Sequence, residues 1–162
     1  MKAVSAALLA VSCVFLFTGC KKAEPKFRVE VPAGWQVASD QDQDGDLVKV
    51  LVKADDETAK IIAACTPAEK YPMAEMVAQN LAVIAQIGGT ITEFNVADDE
   101  SSVRLAFTAE SEKAGQFIGK LVLKKDSSGK GKILTVVALW PAAQDAVMSP
   151  VFEKVAASAD FK

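Results

Sequence analysis

Apolar and polar residues alternate with a period of two over much of this chain, and that pattern limits it to a sheet. Phe27-Arg28-Val29-Glu30-Val31 alternates, as do Ser102 to Ala109 and Gln116 to Lys124, the marks of half-buried strands. Val103, Leu105 and Phe107 should share one face, with Arg104, Ala106 and Thr108 on the other, because successive side chains of a strand point to opposite sides. Trp35 to Ala38, Leu47 to Lys53, Thr58 to Ala64 and Ile91 to Val96 read as further strands. Ile133 to Trp140 is nearly all apolar, which fits a central strand covered on both faces.

Helical spacing occurs twice. Pro72 suits a first turn, and Met76, Val77, Leu81, Ile84 and Ile87 follow as one stripe until Gly88-Gly89 stops it. Asn80, beside that stripe, is expected at a boundary with its amide satisfied. Ala142 to Ala159 reads as a second helix, interrupted at Ser149-Pro150 because proline disfavours helix in the residue before it, with Phe152 and Val155 buried. Strands in uninterrupted antiparallel groups around two helices make the class α+β, an antiparallel sheet flanked by helices, in one domain spanning residues 27 to 162.

The first twenty residues do not belong to that fold. Lys2 gives a positive start, Ala6 to Phe17 is an apolar run short for a bilayer span, and small residues lead into Cys20. Phe17-Thr18-Gly19-Cys20 resembles the lipobox of bacterial lipoproteins, with Phe17 where that family usually has Leu. The resemblance implies a signal peptide over residues 1–19 and a lipidated Cys20 anchoring the chain to a membrane. An ordinary secretory signal or an uncleaved anchor is the alternative. Residues 20–26 then form a polar tether, of which Lys21 to Lys26 reaches about 20 Å fully extended. By resemblance to Gram-negative sorting, Lys21 in place of Asp after the lipidated cysteine implies the periplasmic face of the outer membrane if the cell is Gram-negative.

Composition narrows function by exclusion. The chain has no histidine, which removes Ser-His-Asp and Cys-His catalysis and the usual His-containing zinc sites. Of its 3 cysteines, Cys13 would leave with the signal and Cys20 would take lipid, so no intramolecular disulfide is expected, and Cys65, in an apolar run, is expected to be buried. A net charge of -3 and no basic cluster exclude nucleic acid. Nucleophile elbows, phosphate-binding glycine loops and paired metal-ligating cysteines are absent from the sequence, so no catalytic residue is nominated.

One stretch suggests a ligand. Asp40, Asp42, Asp44, Gly45 and Asp46 resemble the first half of an EF-hand loop, in which alternate oxygens and a tight glycine turn wrap Ca²⁺. The twelfth position, which should supply a bidentate Glu, is Leu51, and Asp44-Gly45 is independently a favoured hairpin turn. A weak calcium site and an ion-free acidic turn both fit, and no other cofactor is expected.

Phe27-Arg28-Val29-Glu30-Val31-Pro32-Ala33-Gly34-Trp35 resembles the F-x-V-x-x-P-x-G-W opening of PsbP-like domains, including DcrB-like bacterial lipoproteins. Val151-Phe152-Glu153-Lys154-Val155-Ala156-Ala157-Ser158 is similar to their closing helix with its late serine. The resemblance implies a sheet flanked by helices and a non-catalytic binding or assembly module for an envelope protein or small ligand. Two other readings are carried with it: a small-ligand carrier with a pocket between sheet and helix, and a carboxylate-based hydrolase. The domain is expected to be monomeric or weakly self-associating.

Overall fold

The computed structural model describes residues 27–43, 46–53, 55–69, 72–112, 115–127 and 131–161. In chain order the elements are β1 (Phe27–Arg28), β2 (Trp35–Gln43), β3 (Asp46–Lys53), β4 (Asp56–Pro67), α1 (Met73–Gln86), β5 (Thr90–Val96), β6 (Ser102–Ser111), β7 (Gly115–Lys125), β8 (Lys132–Pro141), α2 (Asp145–Ser158) and β9 (Asp160–Phe161). One turn of 3-10 helix, Ala142–Gln144, leads into α2. Seven strands form one sheet in the order β2-β3-β4-β8-β7-β6-β5, and β1 pairs with β9 in a small sheet of its own. Every pairing is antiparallel. This is the α+β architecture expected from the alternation.

The two helices cover opposite faces, and β8, fourth of the seven strands, shows why its sequence is apolar throughout. Leu134, Val136, Ala138 and Trp140 belong to a cluster with Met148, Phe152, Val155 and Ala156 of α2. Ile133 and Val137 belong to a second cluster with Met73 and Ile84 of α1. Each fully buried large side chain contributes about 1.5–3 kcal/mol, so a strand that fills both cores cannot alternate. Strand β6 does alternate: Val103, Leu105 and Phe107 join the α1 cluster, and Arg104, Ala106 and Thr108 occupy the α2 face. Phe107 lies across the α-carbon of Gly119, its partner on β7, where a Cβ would stand 2.2 Å from the ring. Only glycine fits there.

Helix α1 ends where the glycine pair stands: Gly88 has φ +68°, and the Gly89 N–H bonds the Ile84 carbonyl at 2.8 Å. Asn80 donates to the Met76 carbonyl at 2.7 Å, which satisfies its amide as expected of a boundary position. Cys65 is buried, and Phe152 and Val155 are fully so.

Three local expectations are corrected. Helix α2 is continuous through Pro150, although proline removes the N–H that would reach the Ala146 carbonyl. Met148 before it and Phe152, Val155 and Ala156 after it are all buried against the sheet, and this packing holds both halves on one axis. Strand β2 runs on to Gln43, so most of the stretch taken as an acidic loop is extended backbone paired to β3. The first strand is only Phe27–Arg28, and its pairing with the chain's last strand was not foreseen.

Candidate functional site

The sequence-nominated sites fall at the margin of what the structure describes. Cys20 and the segment before it lie outside the described residues. The backbones of Asp40 and Asp42 stand opposite Lys49 and Leu47, and that of Asp46 opposite Gln43. Asp44 and Gly45, and the side chains of all four aspartates, lie outside the described residues. Three of the four proposed calcium ligands therefore occupy positions in a strand ladder.

Polar chemistry concentrates instead on the α2 face of β6 and β7. Arg104 donates through Nη2 to Glu153 Oε2, and Lys120 donates through Nζ to Glu153 Oε1 at 3.0 Å and to Ser149 Oγ at 2.7 Å. Arg104 Nε also lies 3.8 Å from Glu93. Partial burial works to raise the Glu153 pKa, but hydrogen bonds and charge from Lys120 and Arg104 outweigh it and hold the carboxyl below its ordinary value. Lys124, two positions further along the same face of β7, donates to the carbonyls of Ala156 at 2.7 Å and Ala159 at 3.0 Å. These are acceptors that the last turn of a helix leaves open. Burial lowers the Lys124 pKa, against the charge of Asp160 and with that of Arg104. Sequence alternation put Arg104 on this face but could not supply its partner, 49 residues away.

These groups seat a helix against the sheet. Ser149 and Lys120 are close enough to suggest a nucleophile and its base, yet the same Nζ is tied at 3.0 Å to the Glu153 carboxylate. Among the described residues there is no group of three or more Cys, Asp and Glu placed to hold a metal. Between α2 and the sheet the rings of Trp140 and Phe152 stand 5.9 Å apart, and Trp140 Nε1 donates to Asp145 at 3.1 Å.

Among the described residues, the β5 edge remains open. Ile91, Phe94 and Val96 are 38%, 46% and 47% exposed, and all three pair with α1-face residues of β6, namely Phe107, Leu105 and Val103. The Ala97 N–H bonds the Ser102 carbonyl at 3.0 Å, which makes residue 97 an inward-bonding position. Inward and outward positions alternate along an antiparallel strand, so Phe94 and Val96 turn both N–H and C=O toward the free edge. Apolar side chains and unpaired backbone groups thus coincide. The sequence identified this strand but carried no signal that it would be the last in the sheet.

No protein-family model matches this chain, and no curated protein does. Solved structures do share its fold. A glutamate-to-alanine variant of the protein Mog1 superposes with a TM-score of 0.58 at 10% identity, over 88% of this chain and 94% of that one. The Ran-binding protein Mog1p of Saccharomyces cerevisiae gives 0.52 at 10% identity, over 84% and 90%. Cyanobacterial PsbP (CyanoP) from Synechocystis gives 0.55 at 11% identity, over 85% and 87%. At such identities the likeness is one of fold, and the fold is PsbP/Mog1-like.

Proposed function

We propose that this chain is a non-catalytic binding module of the bacterial cell envelope, held on a membrane through lipidated Cys20 and engaging a protein partner. The observation that carries the binding part is the open β5 edge, where exposed Phe94 and Val96 also leave their backbone groups unpaired. Exposed edges are templates for pairing, and natural sheets normally blunt them. The described ionisable groups nearest α2 are spent on seating that helix, which leaves little there for catalysis. The Ran-binding protein Mog1p, a protein-binding chain of the same fold, supports the reading. For the anchor, the support is Phe17-Thr18-Gly19-Cys20 and the short tether that follows it. One acyl chain binds membranes marginally and several bind stably, so a lipoprotein-type cysteine with three chains would give permanent residence.

Detergent-phase partitioning of the full chain and of Cys20→Ser tests the anchor. The parent should enter the detergent phase and carry added mass on Cys20, while Cys20→Ser should stay in the aqueous phase. A Cys20→Ser chain that partitions like the parent with unchanged mass would sink the lipoprotein reading.

A further inference from the structure

Two strands end the sheet, and they differ in what they offer. On β2 the sequence Ser39-Asp40-Gln41-Asp42-Gln43 carries alternate aspartates, and pairing it with a copy of itself would bring like charges together. Strand β5, Thr90-Ile91-Thr92-Glu93-Phe94-Asn95-Val96, has no Lys, Arg or Pro to guard it. Its one irregularity is the register shift between Ile91 and Glu93, which leaves 93–96 regular.

From this we infer that the β5 edge pairs with β5 of a second copy, antiparallel about a two-fold axis at Asn95, so that two seven-stranded sheets become one. The parity of the edge selects that register. With Asn95 on the axis, Phe94 of each copy lies opposite Val96 of the other, and these are the residues whose N–H and C=O face outward. Four backbone hydrogen bonds then close the seam, while Asn95 meets Asn95 as a non-hydrogen-bonded pair. Side chains agree as well: opposite residues share a face, so exposed Phe94 covers exposed Val96 on the α1 side. Glu93 falls opposite Ala97, and no like charges are apposed.

The chain outside the described residues supports the same arrangement, a step that rests on the anchoring proposed above. Phe27, where the tether arrives, packs in the α2-side cluster. A two-fold axis normal to the sheet keeps both α2 helices and both Phe27 residues on one face of the extended sheet, so both tethers lead to one bilayer. A single edge pairing with three half-exposed side chains a copy falls short of the roughly 800 Å² per partner of stable complexes. The dimer is accordingly weak in solution and is favoured when anchoring confines the copies to one plane.

The test is disulfide trapping in membranes holding the full chain. Opposite residues of a non-hydrogen-bonded antiparallel pair have Cα atoms about 4.5 Å apart, within the range a disulfide spans. Asn95→Cys, oxidised with diamide, should give a linked species of twice the chain mass, at least tenfold above the dimer band of the parent. Adding Val96→Pro, which deletes only an outward N–H, or Phe94→Lys, which leaves the backbone intact, should return the band to the parent level. The proposal fails if Asn95→Cys gives no dimer above the parent, if the dimer survives both second substitutions, or if the new thiol links to a different protein. Detergent partitioning scored on the same samples separates the two ideas: dimer without partitioning removes the anchor, and partitioning without dimer removes the edge pairing.

Discussion

Glu153 stands between two cations where α2 meets β6 and β7, and its removal is the sharpest single-residue probe of how α2 is held. Its side chain is 40% exposed, so solvent screens part of the attraction and Glu153→Gln should cost about 1 kcal/mol at neutral pH. The pH dependence follows from the lowered pKa. A carboxylate held below its unfolded value, about 4.3, adds stability that is complete above that value and is lost as pH falls through the folded one. The gap between parent and Glu153→Gln in urea midpoint should therefore be widest near neutrality and vanish below both values. A gap that persists in acid would mean packing, not charge, holds the pair. At this scale burial was legible where periodicity dictates it: Cys65, Phe152, Val155 and Asn80 all stand where the pattern puts them. The contact of Lys120 with Glu153 was not, since nothing local relates residues 33 apart.

Elements were legible to the extent that their packing agrees with local propensity. Helix α1 has an apolar stripe, a proline entry and a glycine stop, and both of its ends fall as expected. Helix α2 breaks the local rule at Pro150, where buried contacts on both sides of the proline override it. The acidic stretch before Asp44 looked like a loop because Asp is a poor strand former, yet five register pairs with β3, from Ser39 to Gln43, carry the strand through it. Proline inside a helix costs about 3 kcal/mol relative to alanine, less where the first turns leave amides unbonded anyway. Pro150→Ala should then restore the bond to the Ala146 carbonyl and stabilise the domain by about 1–3 kcal/mol, read as a rise in urea midpoint at constant slope. A midpoint that stays level or falls would show that the proline's own ring packing matters more than the missing bond.

The described domain is closed by its first and last strands. Phe27, 1% exposed, is held in the α2 cluster, and its strand pairs with Asp160–Phe161 at the other end of the chain. Ser158, the late serine of the closing helix, accepts the Glu30 N–H at 2.9 Å while donating to the Val155 carbonyl. Lys154 meets Glu30 at 2.7 Å in the same region. The opening and closing motifs that resembled PsbP-like domains are thus two sides of one clasp, which is why both were readable as motifs while their contact was not. The clasp fixes where the folding unit must begin. A chain of residues 27–162 retains every one of these contacts and should unfold in a single cooperative transition. A chain of residues 31–162 loses the Phe27 side chain, for which replacement by a small residue costs about 3–5 kcal/mol, together with the β1 pairing and both Glu30 contacts. Set against the roughly 5–15 kcal/mol that separates folded from unfolded for a domain, that loss should lower the urea midpoint steeply or abolish the transition. Equal midpoints for the two chains would mean that the segment before Pro32 is tether, and that the domain closes without it.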